Sequence, residues 1–278
     1  DPHGPNTPPP PYDTLFTDDP RTPPLPGALT PGTPPEELEN MRALYDAEIR
    51  FSDEHFGRMV DALRARGLYD DTLIVFTSDH GEEFLEHGRH FHGYHTYGEM
   101  LNVPLIMWWP AGIPGGRVID TTVQSIDVMP TVLELSQLPL PEQIQGQSLL
   151  PLMAGTNPTS LGWKPRPAVA ERAWAPAANE GEKDADLESF AVVDGEWKLI
   201  WNTRIPDERP KYELFDHVND PINMNNVAAD HPEIVERLAD YLENWQEAAL
   251  AAKVDTEAAA EEMSEEELDK LRALGYIN

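Results

Sequence analysis

The segment Thr72-Leu-Ile-Val-Phe-Thr77 constrains this chain more than any other. It is continuously apolar from Leu73 to Phe76 and ends abruptly at Ser78-Asp79-His80-Gly81. A short unbroken apolar run between turn signals suits a strand buried on both faces, because a surface strand would alternate. A second such run spans Val103 to Trp109. Between them, Glu82 to Gly98 is polar and histidine-rich, and reads as a loop. Ahead of both, Met41, Leu44, Ile49, Phe56, Met59, Val60 and Leu63 recur at near-helical spacing. Pro34-Pro35-Glu36-Glu37 starts that helix, since proline and acids are both favoured in a first turn, and Gly67 is its C-terminal stop. Helix, buried strand, polar loop, buried strand is the α/β order.

The flanks have a different texture. Residues 1–35 hold 13 of the 28 prolines and read as loop or polyproline-like chain. Gln124 to Leu135 reads as a turn followed by a helix. Beyond about residue 158, Ala168–Glu171, Ser189–Val193, Glu196–Trp201 and Lys211–Phe215 read as short strands, with Asp194-Gly195 as a two-residue hairpin link. Asp220-Pro221 is a turn, and Pro232 opens a helix to about Leu250. Ser264-Glu-Glu-Glu267 is a capping box in an acidic, alanine-rich tail. The expected organisation is an α/β part over residues 1–160, a small antiparallel α+β subdomain over 161–250, and an acidic helical tail over 251–278.

Charge excludes several functions. Asp and Glu number 50 against 20 Lys and Arg, for a net −30 over 278 residues. Such a surface repels phosphate backbones, so non-specific nucleic-acid binding is excluded, and anionic membrane surfaces are disfavoured. No apolar run approaches the roughly 20 residues that span a bilayer. With no cysteine, disulfides, thiolate zinc sites and a cysteine nucleophile are absent from these residues. An anionic substrate would need a local positive device, such as a metal, to overcome the global field.

Five of the nine histidines lie between His80 and His95: His80, His87, His90, His92 and His95. In open α/β sheets, ligands bind outside the carboxyl ends of strands. Asp79 and His80 stand at such an end, where a carboxylate beside an imidazole can grip a divalent cation. A turn-capping Asp and solvated histidines are the bland alternative, and for His87, His90 and His95 taken singly it weighs about as much. No His-Glu-x-x-His spacing occurs. His3, in the rigid loop Asp1-Pro-His-Gly-Pro5, reads on its own as an exposed loop residue.

Taken in order, these stretches resemble the sulfatases of the alkaline-phosphatase superfamily. Thr72 to Glu82 is similar to the family's metal-binding strand end, and Asp1-Pro-His-Gly-Pro5 to its proline-flanked active-site histidine. Phe91-His-Gly93, Tyr97 and Asn102-Val-Pro-Leu-Ile106 resemble the segment that carries its second basic active-site residue, which falls on His92. Ser125 to Leu133 and Gly146 to Leu149 match two further stretches. Tyr212-Glu-Leu-Phe-Asp216, Asp220-Pro221 and Asn225-Asn226 resemble its C-terminal subdomain.

The resemblance implies a partial alkaline-phosphatase-like α/β/α sandwich followed by the small antiparallel subdomain. It implies metal-dependent hydrolysis of a sulfate ester of a sugar or an aryl group. Asp79 and His80 would be metal ligands, and His3 and His92 would contact the sulfate or the leaving oxygen. The cation is calcium by resemblance; the softer His80 ligand leaves manganese open. The family's formylglycine nucleophile and its first acidic ligands have no counterpart in these residues. The sequence is therefore expected to be a piece of a longer protein, inactive alone, from a periplasmic or secreted enzyme. A sister phosphonate or phosphodiester hydrolase, or a non-catalytic binding module of this fold, is the alternative. Asp79, His80, His92 and His3 are expected to share one pocket.

Overall fold

The computed structural model describes residues 2–4, 6–20, 29–172, 188–204 and 209–252. The acidic tail with Ser264–Glu267 lies outside them. By contacts the chain divides into two compact units, 1–235 and 236–278.

In the first unit the long helix α1 spans Pro35–Ala65. Pro35 occupies its first turn with Glu36 and Glu37, where the free backbone N–H groups favour negative charge. Past its end, Gly67 N–H bonds the Arg64 carbonyl and Leu68 N–H bonds the Leu63 carbonyl, which is the paired-bond closure of a helix C-terminus. Only its N-terminal half is buried on one face, through Asn40, Met41, Leu44, Ala47 and Glu48. Met41 and Leu44 pack with Leu29 and Phe84.

Strand β1 (Ile74–Thr77) pairs antiparallel with the later strand over Leu105–Trp108. Among the described residues these two strands form a sheet of their own. The expectation of strands buried on both faces is not met: Phe76 is 41% and Ile106 57% exposed. A two-stranded sheet with one partly covered face cannot bury both sides of its strands. The expected polar loop between them is partly ordered as a hairpin, β2 (Glu83–Phe84) against β3 (His90–Phe91). It forms because the buried Glu83 carboxylate accepts the backbone N–H groups of His87 and Arg89 across the turn, a pairing that polarity alone does not reveal. The short helix α2 (Gly98–Leu101) then leads into β4, the Leu105–Trp108 strand.

Helix α3 (Val128–Leu135) follows a single 3₁₀ turn capped reciprocally by Gln124 and Asp127. Asp127 is buried and ties distant segments together. It accepts the Gln147 N–H at 2.7 Å and the Arg166 guanidinium, while Thr131 Oγ1 accepts the Leu149 N–H. The motifs at Ser125–Leu133 and Gly146–Leu149 therefore serve architecture here. Helix α4 (Leu150–Met153) packs Leu152 and Met153 with Leu149 and Trp163.

The C-terminal sheet is an antiparallel meander, β5 (Ala168–Arg172), β6 (Glu188–Asp194), β7 (Trp197–Arg204) and β8 (Tyr212–Asp216), in that order. The β6–β7 hairpin turns one residue later than the sequence suggests. Asp194 pairs with Trp197, and Gly195-Glu196 form the link. Gly195 takes φ +61, the positive value that a first-position glycine supplies in a type II′ turn. Val192, Leu199 and Leu214 are fully buried. Helix α5 (Pro232–Ala251) runs on into the second unit, where Leu238, Ala239 and Leu242 are its buried stripe. No helix among the described residues is long and apolar enough to cross a membrane.

Candidate functional site

At the C-terminal end of β1 the chain turns through Ser78-Asp79-His80-Gly81. Ser78 Oγ donates to the His80 carbonyl at 2.6 Å, and Gly81 N–H donates to the Met100 carbonyl at 2.9 Å. A Cβ on Gly81 would sit 1.8 Å from the Glu99 carbonyl oxygen, so the turn can press against α2 only with glycine there. His80 is thereby fixed in direction. Its Nδ1 lies 2.9 Å from the Gly81 carbonyl, which can only accept, so Nδ1 carries the hydrogen and Nε2 presents its lone pair. That Nε2 is 3.7 Å from Asp79 Oδ2. Two ligands on one cation keep about this separation when each bond is about 2.0–2.4 Å. The donor chemistry and the spacing of Asp79 and His80 would suit two ligands of a divalent ion.

The structure brings His3 and His92 to the same place. The His92 ring stacks on His80 at 4.0 Å between centroids, and His3 lies 4.9 Å from His92 and 6.4 Å from His80. Helix α1 holds the loop that carries His3. Glu48, at the C-terminal end of its buried face, accepts the backbone N–H of His3 at 3.2 Å and of Thr7 at 2.7 Å. Burial raises the pKa of the Glu48 carboxyl against the pull of these two donors. The hairpin β2–β3 delivers His92 immediately after β3, and Glu82 Oε1 meets its Nδ1 at 3.1 Å. The three imidazoles and the Asp79 carboxylate come from sequence positions 3 to 92, joined by the helix, the strand end and the hairpin.

A second cluster forms from residues that single-histidine reasoning left undecided. His95 Nε2 meets Glu83 Oε2 at 2.6 Å, and His87 Nδ1 meets Glu99 Oε1 at 2.6 Å. His87 Nε2 also faces the Asn223 carbonyl at 2.9 Å. A carbonyl and a carboxylate both need a hydrogen from the ring, so this geometry holds His87 as an imidazolium. Burial pulls its pKa down, but the Glu99 hydrogen bond, the Asn223 carbonyl and the charges of Glu99 and Glu83 outweigh it and raise it. For Glu83, burial raises the pKa and the His95 and backbone donors more than reverse that. The ligand atoms of Glu83, His87, His95 and Glu99 lie within 4.8 Å of one another, a donor set that a divalent ion could also take. Tyr97 stacks on His87 at 3.7 Å and donates its hydroxyl to Glu213 at 2.8 Å, joining this network to the meander. Lys198, fully buried, donates to Asn223 Oδ1 at 2.7 Å, and burial lowers its pKa to about 7.

His90 joins neither cluster. It is buried against Phe84 and Phe91 and accepts the Leu29 N–H at Nδ1. Sequence reasoning missed Glu82, Glu83 and Glu99. Their partners lie ten to twelve residues away, and nothing in a polar stretch marks which of its acids are buried.

A family model described as Sulfatase matches residues 1–138, and one described as N-sulphoglucosamine sulphohydrolase, C-terminal, matches residues 86–248. Arylsulfatase K of Xenopus laevis is 32% identical over 204 residues, which are 73% of this chain and 36% of the relative. Arylsulfatase K of Homo sapiens is 32% identical over 199 residues, 72% of this chain and 35% of the relative. The chain thus spans about a third of the length of the curated relatives it matches. Among solved structures, BT4656 in complex with its substrate D-glucosamine-2-N,6-O-disulfate aligns with a TM-score of 0.62 at 28% identity, covering 76% of this chain and 41% of that one. Phosphonate monoester hydrolase SpPMH from Silicibacter pomeroyi aligns with a TM-score of 0.64 at 27% identity, covering 81% and 44%.

Proposed function

Because the chain belongs to the sulfatase family, with a partial alkaline-phosphatase-like fold followed by a small antiparallel sheet, we propose that its protein hydrolyses a sulfate ester in a metal-dependent reaction. The observation that carries this is the convergence of His3, His80 and His92 beside Asp79 at the end of β1. In this reading residues 1–160 are the C-terminal part of the catalytic domain and 161–250 its small subdomain.

Asp79 through its carboxylate and His80 through Nε2 would hold the cation, calcium in the first instance and manganese in the second. When bound, such an ion neutralises charge on the sulfate oxygens. His3 and His92 bind the transferring group and hold a proton for the departing oxygen, as imidazoles can near neutral pH. The nucleophile, a formylglycine by family resemblance, is assigned outside these 278 residues, which contain no cysteine. A sugar sulfate is the favoured substrate class, on the strength of the disulfated sugar bound by BT4656, with an aryl sulfate next. Placement in the periplasm or outside the cell rests on family resemblance.

The likeness to a phosphonate monoester hydrolase keeps that reaction as the second reading. The deciding measurement compares kcat/KM of the full-length protein for an aryl sulfate and an aryl phosphonate monoester, before and after chelation and readdition of calcium or manganese. The proposal expects the sulfate ester to be the better substrate and chelation to abolish its turnover. A preference for the phosphonate selects the second reading, and turnover that survives chelation removes the metal from the mechanism.

A further inference from the structure

We propose that Glu82 is a positioning residue for His92, fixing which ring nitrogen faces the reacting group. This rests on the assignment of His92 to the transferring group made above. Glu82 and Glu83 are neighbours in an extended segment, where successive side chains point to opposite sides. Glu83 turns to His95, and Glu82 turns to His92. The Glu82 side chain is 4% exposed, whereas that of His92 is 29% exposed. A buried carboxylate beneath a partly open imidazole is a one-sided arrangement, because the acid is fixed and the ring would otherwise turn. The backbone on both sides of His92 is in the left-handed region, φ +76 at Phe91 and +88 at Gly93, so the hairpin exit sets the path of the chain but not the ring.

Glu82 Oε1 lies 3.1 Å from His92 Nδ1. A carboxylate accepts, so Nδ1 carries the hydrogen and Nε2 becomes the atom available to the reacting group. His80 stacks on the other side of the ring at 4.0 Å and limits its tilt. An acid that orients a ring from behind in this way acts without touching the substrate, and a misplacement of about 1 Å at a reacting group can cost about a hundredfold in rate.

The test is a double-mutant cycle in the full-length protein, read alongside a spectroscopic signature. Glu82→Ala is expected to lower kcat for an aryl sulfate by about a hundredfold with KM within about threefold. Glu82→Gln, whose amide oxygen can still accept from Nδ1, is expected to recover most of that loss. In a His92→Ala background, Glu82→Ala is expected to cost nothing further, because residues acting as one unit are not additive. Additive losses, or a Glu82→Gln variant as impaired as Glu82→Ala, would overturn the proposal. Independently of activity, ¹⁵N spectra of the His92 ring should show hydrogen on Nδ1 in the wild type and a changed tautomer mixture in Glu82→Ala. An unchanged ring spectrum overturns the proposal even if the variant is slow. A wild type that hydrolyses no sulfate ester but shows the expected spectra overturns the sulfatase reading and leaves the Glu82–His92 pair standing.

Discussion

At the scale of single residues, the two clusters call for different measurements. Asp79 is the exposed acid of the first, its side chain 87% accessible. If Asp79 holds the cation as proposed, Asp79→Ala removes that ligand outright and is expected to abolish activity in the full-length protein. Asp79→Asn keeps one carbonyl oxygen but loses the charge, so metal affinity should fall about ten- to a hundredfold and added calcium or manganese should restore turnover. His92→Ala should depress turnover without any such rescue. Metal titrations of the three variants decide the roles, and rescue of His92→Ala in place of Asp79→Asn would reverse them. In the second cluster the measurement is pH. His87 holds its proton more tightly folded than free, so it stabilises the fold below its ordinary pKa of 6.5, and that contribution fades as pH rises through the higher folded value. The melting-temperature gap between wild type and His87→Phe should therefore be widest below about pH 6 and narrow at alkaline pH. A gap that widens with pH would show that His87 is held neutral.

At the scale of elements, the meander and the β2–β3 hairpin rest on different forces. The β6–β7 turn depends on backbone conformation alone, because a Cβ on Gly195 would meet nothing within 4 Å while φ stays at +61. Gly195→Ala should thus cost about 1 kcal/mol, read as a lower denaturant midpoint with unchanged slope. A neutral substitution would mean that the turn relaxes to another type. This turn was legible in advance to within one residue, since glycine beside a strand pair is a local signal. The β2–β3 hairpin was not legible. Its register depends on the Glu83 carboxylate bridging the N–H groups of His87 and Arg89, and on His87 being held between nearby Tyr97 and Asn223, which lies 136 residues further along the chain.

At the scale of the whole molecule, the apolar surface of the β1–β4 sheet stands beside a net charge of −30. Phe76, Ile106 and Trp108 are exposed there. A patch of this kind drives association when repulsion is screened. The 278-residue chain made alone should be monomeric at low salt and self-associate as salt rises, in light scattering, with no sulfatase turnover; a monomer at all salt concentrations would show that the patch is too small to act. Sequence by itself determined the long α1 helix, the strand ending at Asp79-His80, the four short strands of the C-terminal antiparallel unit and the family, because each depends on local periodicity, turn chemistry or an ordered series of motifs. The family's ordered motifs already led to the expectation that His3 and His92 share a pocket with Asp79 and His80, but tertiary structure alone decided how their rings meet, that Glu82 and Glu83 turn to different histidines, and that β1 and β4 are left partly bare. Those outcomes depend on which distant side chains share a buried space, and burial is a property of the packed chain that no local pattern encodes.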